Sequence, residues 1–249
     1  MLPSAQTTHL SIAPSLDETR LERYRLRLAQ APLFRGAPPA LLDDLARRLQ
    51  LRSRVAGQTV VNAADPGDAM FLIHAGRVRV LVSGESGREV ILATLGPGDF
   101  FGEMALLDGR PRSATVMAME DTTLLVLTRE ALLAHLRSHP QTALNLLAEL
   151  SLRLRRADQT ITELVLSDVH ERLVKTLVRL ARQDGEENEA GLVVHHRPTQ
   201  QELANMVGSC RETVSRAFTS WTRRGLLVPR GRSLVVTRRL LSIHAGQSA

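Results

Sequence analysis

At 249 residues, with 43% hydrophobic residues but only 3% aromatics, the chain can build two compact domains whose cores are mostly aliphatic. One cysteine, Cys210, excludes an internal disulfide framework and a cysteine-ligated zinc or iron–sulfur site. The formal charge of +6 is unevenly spread: past His195, nine arginines face only Glu202 and Glu212, the footprint of a polyanionic partner or of a solvated basic tail.

The N-terminal stretch MLPSAQTTHLSIAPSLDETR lacks a basic start followed by an apolar block, so a signal peptide is not expected. No run approaches the roughly 18 apolar residues of a membrane span, and the simplest reading is a cytoplasmic protein. Residues 1–29 read as a polar extension with a short helix around Leu21 to Leu28. Between Val55 and Leu127, β-rich runs alternate with glycine turns (MFLIHAGRVRVLVSG, REVILATLGPGDFFGE, SATVMAMEDTTLLVL), the pattern of a sandwich or jelly roll over residues 30–140. His74 reads as an ordinary strand histidine, because no partner recurs nearby to make a metal or haem site. No metal is expected.

Within this half, FGEMALLDGRPRSATV (101–116) is the stretch suited to chemistry. Glycine frees backbone amides to face an anion, and an arginine can hold a phosphate through paired hydrogen bonds. Gly102 and the amides after it, Glu103 and Met104 among them, can line such a cradle. Arg112 is placed to pair with the phosphate, Ser113 to donate to it, and Glu103 to accept from a ribose hydroxyl.

From Gln141 to Ser167 the chain reads as one helix. Ala143, Leu147, Leu150, Leu154, Ala157, Ile161 and Leu164 are spaced alternately by four and three, a coiled-coil seam that predicts a parallel homodimer. A helix and hinge over 141–168 thus separate the β-rich half from residues 169–249, which open with HERLVKTLVRLARQ.

The C-terminal domain carries TQQELANMVGSCRETVSRAFTSWTRRG. Thr199 and Glu202 have capping-box spacing, Leu203, Met206 and Val207 form an apolar face, and Gly208 fits a helix end. Ser209 and Glu212 repeat the capping spacing, and Val214, Ala217, Phe218 and Trp221 make a buried stripe on a second helix. Its opposite face carries Arg211, Glu212, Ser215, Arg216 and Thr219. Arginines there can offer paired donors to guanine, and Glu212 can accept from the cytosine amino group. Thr199 and Gln200 are further candidate DNA contacts. LLVPRGRSLVV reads as a two-stranded wing whose Arg230 and Arg232 can touch phosphates. His195-His196 reads as a strand end rather than a metal site.

With both motifs in this order, residues 30 to 240 resemble the catabolite activator protein and FNR family of bacterial transcription regulators. The resemblance implies an α+β chain: a cyclic-nucleotide-binding jelly roll, a long dimerising helix and a winged helix-turn-helix without enzymatic activity. It also implies that Gly102, Glu103, Arg112 and Ser113 hold a cyclic ribose phosphate, that Asp168 is the hinge, and that Arg211, Glu212 and Arg216 read a TGTGA-like half-site of a palindrome. Double-stranded DNA and RNA polymerase are the implied partners. The family's base-contacting threonine–serine pair is replaced here by Ala157 and Asp158. Alanine cannot bond adenine's amino group, whereas aspartate suits guanine's two adjacent donors. RRAD (155–158) also has the R-x-x-D form of some cyclic di-GMP receptors. The allosteric ligand is therefore left open among cAMP, cGMP and cyclic di-GMP, beside a solvent-facing Asp158. A vestigial pocket with constitutive DNA binding, or an enzyme-regulatory subunit, are the rival functions.

Overall fold

The computed structural model of the chain describes residues 16–84, 87, 89–184, 186–195 and 197–246; of the histidine pair noted above, His196 lies outside them. Helix α1 (Leu16–Gln30), a 3-10 turn (Pro32–Phe34) and α2 (Pro39–Arg48) precede the sheets. The strands follow as β1 (Gln50–Arg54), β2 (Thr59–Val61), β3 (Ala69–Ala75), β4 (Val78–Ser83), β5 (Glu89–Leu95) and β6 (Phe100–Phe101). Helix α3 (Glu103–Asp108) then leads to β7 (Thr115–Ala118) and β8 (Thr122–Thr128).

These strands pair antiparallel into two four-stranded sheets, ordered β1-β8-β3-β6 and β2-β7-β4-β5, the expected jelly roll. The alternation of side chains explains why β3 and β8 read as unbroken apolar runs. Phe71, Ile73, Leu124 and Val126 face the space between the sheets, while Met70, Leu72, Leu125 and Leu127 face a second core under the helices. That second core corrects one expectation. The N-terminal helix is not a polar appendage: it spans Leu16–Gln30, and Tyr24 and Leu28 are buried beside Phe34, Leu45 and Leu132. Its few apolar residues sit on one face, so the mean character of the segment hides the part that packs.

Two helices connect the sensor to the C-terminal domain. Thr128 caps α4 (Arg129–Ser138) by accepting from the Ala131 amide, and Pro140 occupies the first turn of α5 (Pro140–Leu166), where its missing N–H costs nothing. At their junction His135 is buried, 3.0 Å from the Thr142 hydroxyl and stacked on His139. Burial, with His139 adding, pushes its pKa down to about 4. A histidine depressed in the folded state stabilises fully above its unfolded value near 6.5, and that contribution is lost as pH falls from there toward 4. Its loss amounts to about 3 kcal/mol. Melting curves at pH 7.5 and 4.5 should therefore show a smaller acid-induced drop for His135→Gln than for wild type; equal drops would refute this role.

The C-terminal domain comprises α6 (Val169–Asp184), β9 (Glu187–Asn188), β10 (Gly191–Val194), α7 (Gln200–Val207), α8 (Arg211–Arg223), β11 (Leu227–Arg230), β12 (Ser233–Thr237) and α9 (Arg238–Gly246). Its sheet runs β11-β12-β10-β9, and one core joins Leu173, Leu177, Leu203, Val214, Phe218, Trp221 and Leu234. No helix among the described residues is long and apolar enough to cross a membrane.

Candidate functional site: an anion cassette and a basic reading helix

The cassette begins at Gly102, which caps α3 in the left-handed region at φ 86°. Glycine is required here twice over: a Cβ would strain the backbone and would lie 2.5 Å from Arg112 Nη1. The Arg112 guanidinium fills that space. Nη1 donates to the Gly102 carbonyl at 2.8 Å and Nη2 to the Ala69 carbonyl at 2.7 Å, with the Phe71 ring beneath. Burial draws its pKa below the usual arginine value, with Asp68, Glu103 and Asp65 opposing. Arg112 Nε is buried and has no hydrogen-bond partner among the described residues. Across the cassette Glu103, 2% exposed, accepts from Arg153 at 3.0 Å through Oε1, while Oε2 is buried without a hydrogen-bond partner among the described residues. Ser113 and Met104 are exposed beside each other, the hydroxyl 3.8 Å from the thioether sulfur.

A free buried donor on Arg112 and a free buried acceptor on Glu103 are complementary to one kind of ligand. An anionic oxygen takes the first and a hydroxyl satisfies the second, which fits a ribose cyclic phosphate. Each orphan costs about 1–3 kcal/mol while it stays unpaired, so filling the cassette is favoured by the groups that line it.

Arg153 is the residue that sequence reasoning passed over. It stands on α5, donates through Nη2 to the Phe100 carbonyl at 2.6 Å and lies over the Phe100 ring at 4.5 Å. It thereby fastens the long helix to the carboxylate of the cassette. Its only signal in the sequence is its position one helical turn before Ala157. Ala157 and Asp158 are both exposed on α5, and neither side chain makes a hydrogen bond or ion pair among the described residues.

The long helix ends at Leu166, and α6 starts at Val169. Asp168 sits in the break and accepts the Glu171 amide at 2.8 Å, so the expected hinge is a helix-capping residue. Arg172 ties the break to the next unit, donating to the Ser167 and Val207 carbonyls.

In the helix-turn-helix, Thr199 and Glu202 form the expected capping box at the start of α7, and Gly208 ends it at φ 65°. The second predicted box does not form. Cys210, not Ser209, takes the cap position of α8, and its thiol sits 3.1 Å from the Thr213 hydroxyl. The turn after Gly208 is one residue longer than the capping spacing suggested, which leaves Glu212 in the first turn of the helix. There its own backbone amide and then the Cys210 thiol hold its carboxyl below the usual range, with Arg211 and Arg216 adding. Val214, Ala217, Phe218 and Trp221 are buried as a stripe; Arg211, Glu212, Arg216 and Thr219 are exposed opposite them, and Ser215 is half-buried.

Thr199 is exposed and Gln200 half-buried at the α7 N-terminus, and Arg230 and Arg232 are exposed in the wing around Gly231. Between these parts Arg197, which packs over the Phe218 ring at 5.7 Å, lines a hollow with Gln200, Thr222 and Arg223. Exposed arginines therefore flank α8 on the side away from its core.

The sensor sheet and α7 pack against each other, and an ion pair joins them. Arg79 of β4 donates to Glu202 at 2.9 Å, so the residue that caps α7 is also paired to the sensor sheet.

Two family models match this chain: a cyclic nucleotide-binding domain over residues 51–139 and a Crp-like helix-turn-helix domain over residues 171–241. The chain is 33% identical over 210 residues to the CRP-like cAMP-activated global transcriptional regulator of Mycobacterium tuberculosis, covering 84% of this chain and 94% of that protein. It is 39% identical over 197 residues to the cyclic AMP receptor protein of Thermus thermophilus, covering 79% and 88% respectively. Among solved structures, the c-di-GMP responsive global regulator CLP of Xanthomonas campestris superposes with a TM-score of 0.72 over 80% of this chain and 99% of that one. At 24% identity that likeness concerns the fold.

Proposed function

The chain belongs to the CRP/FNR family of cyclic-nucleotide-responsive, DNA-binding transcription regulators, and from that premise we propose that a cyclic nucleotide in the Gly102–Ser113 cassette controls how a homodimer reads a TGTGA-like palindrome. The observation that carries this reading is the vacant pair in the cassette, Arg112 Nε and Glu103 Oε2, with Glu103 fastened to α5 through Arg153. Whatever fills the cassette bears on the helix that leads to the DNA-binding domain.

Leu147, Leu154 and Ile161 support the dimer: each is at least half exposed, at 59%, 63% and 60%, in a row that repeats every two turns. Three large apolar side chains in one strip find a partner in the same strip of a second copy. A two-fold dimer presents two α8 helices with the symmetry of a palindrome. On each, Arg211, Glu212 and Arg216 read base edges, while Thr199, Gln200, Arg230 and Arg232 hold the backbone. Ligand acts by its difference in affinity between two arrangements of the break at Asp168 and of the Arg79–Glu202 contact, and by nothing else. The family acts by binding DNA and contains transcription regulators, so no catalytic residue is assigned; contact with RNA polymerase is the corresponding proposal for the output.

For the ligand, cAMP is the first reading, supported by the relatives that are cAMP-activated. A guanine-type nucleotide, cGMP or cyclic di-GMP, is the second, favoured by the exposed carboxylate of Asp158 beside Ala157. Calorimetric titration of the full chain with all three separates them. Tight binding of cAMP alone supports the first reading and removes the second. Tight binding of a guanine nucleotide alone does the reverse, and no binding of any leaves a DNA binder with a vestigial pocket.

A further inference from the structure

The proposed dimer leaves one row of α5 unexplained. With Leu147, Leu154 and Ile161 as a positions and Leu150, Ala157 and Leu164 as d positions, Leu146 and Arg153 fall in the g row. Leu144, Ser151, Asp158 and Val165 fall in the e row. The g row belongs to the chain's own sensor: Leu146 is buried in its helical core, and Arg153 holds Glu103 and the Phe100 carbonyl. The e row faces away from that sensor. Leu144 is 58% and Val165 75% exposed, and Asp158 lies exposed between them, with Arg155 of the preceding turn making no pair to it among the described residues.

In a parallel pair the e row of one helix runs along the g row of the other, and each g residue meets the e residue of the partner's following heptad. For Arg153 that residue is Asp158. We infer that Asp158 of one copy pairs with Arg153 of the other, so that a single guanidinium grips its own Glu103 and the second copy's Asp158 together. This rests on the parallel-dimer reading above and deepens it, because each cassette then depends on a residue from the other chain.

The chemistry of Arg153 suits the task. A guanidinium has five N–H donors in a planar fork, and the described contacts use two of them. Its plane is fixed against Phe100, and its side chain keeps 32% of its surface exposed for a further acceptor. Val165, one heptad beyond Asp158 in the same row and 75% exposed, is covered by the same approach of the partner and shields that end of the pair from water. In the ligand-free dimer this pair holds the carboxylate at the seam, and a guanine-type ligand would have to displace Arg153 to reach it. The same pair links dimer contact to the carboxylate that would receive the ribose hydroxyl.

The test is a double-mutant cycle on the ligand-free full chain, with dimer dissociation measured by sedimentation equilibrium at low salt. Asp158→Asn is expected to raise the dissociation constant about fivefold in the wild-type background, since two pairs are lost per dimer, and less than about twofold in the Arg153→Met background. Equal effects in both backgrounds would overturn the ion pair while leaving the dimer intact. A wild-type chain that stays monomeric would overturn the dimer reading and the pair with it. Because Arg153→Met also strips Glu103 of its partner, a second measurement uses Arg153→Lys and a zero-length carbodiimide. A link between positions 153 and 158 found only in the covalent dimer is the expected result, with the 153–103 link in the monomer as the internal reference. A covalent dimer that lacks the 153–158 link would contradict the inference.

Discussion

Arg112→Leu is expected to abolish cyclic-nucleotide binding, weakening it at least about 100-fold, and to lower the melting temperature of the sensor as well. Both effects follow from the same guanidinium. It is the buried cation of the cassette, with Nε held open, and it is the donor to the Gly102 and Ala69 carbonyls. Removing it deletes the charge-assisted grip on a phosphate and leaves two carbonyls unpaired, at about 1–3 kcal/mol each. Ser113→Ala provides the contrast, because Ser113 is exposed and its described hydrogen bond is a long one to sulfur. That change should cost binding by several-fold and leave melting unaltered. Calorimetry and thermal melts on the two variants check the account. Nucleotide affinity retained in a folded Arg112→Leu protein would sink the cassette as the ligand site.

The second large effect belongs to the reading helix. Arg216→Ala is expected to weaken operator binding by about 1–3 kcal/mol for each half-site and to relax discrimination at one base pair of each. Arg216 is exposed on α8 opposite the buried Val214–Trp221 stripe, and Thr213 holds its guanidinium loosely at 3.5 Å, so truncation leaves the fold intact. Arg232→Ala in the wing should instead weaken binding to all sequences alike and reduce the salt dependence by about two units of slope, one for each subunit. Binding-site selection with each variant, repeated at two salt concentrations, separates the roles. An Arg216→Ala protein with unchanged sequence preference would move base reading elsewhere on the domain.

The parts legible in the sequence are those in which a local rule decides the structure. Gly102 announces a left-handed turn, Thr199 and Glu202 announce a helix start, and alternating apolar residues announce the strands buried on both faces. Where tertiary contact decides, the sequence misled or was silent. Ser209 and Glu212 have capping spacing, yet Cys210 takes the cap because the turn from Gly208 runs one residue further. Helix α1 looks polar on average, although Tyr24 and Leu28 complete the sensor core. Arg153 looks like an ordinary charge on a solvated helix until the fold brings Glu103, 50 residues earlier, to it. Arg79 and Glu202 lie 123 residues apart, on a strand and a helix with no local reason to meet. Long-range ion pairs have no periodicity to betray them.

These unannounced pairs share one property: each joins elements that must move relative to each other if ligand is to control DNA binding. Arg153 ties the cassette to α5, Arg172 bridges the break after Leu166, and Arg79 holds the capping glutamate of α7 to the sensor sheet. A ligand that repositions Glu103 therefore acts on α5, while the Arg172 and Arg79 contacts end on α7, the helix packed against the reading helix; only a difference in affinity between states gives these contacts a part in control.

Ligand control of DNA binding is measured by fluorescence anisotropy of a labelled duplex bearing a TGTGA-like palindrome, titrated with the full chain in the absence and presence of saturating cAMP, cGMP or cyclic di-GMP. One of the three is expected to tighten binding by about tenfold or more, with Arg112→Leu removing the response while retaining the basal affinity. Equal affinity with and without every nucleotide, in a protein that still recognises the palindrome, would contradict ligand control.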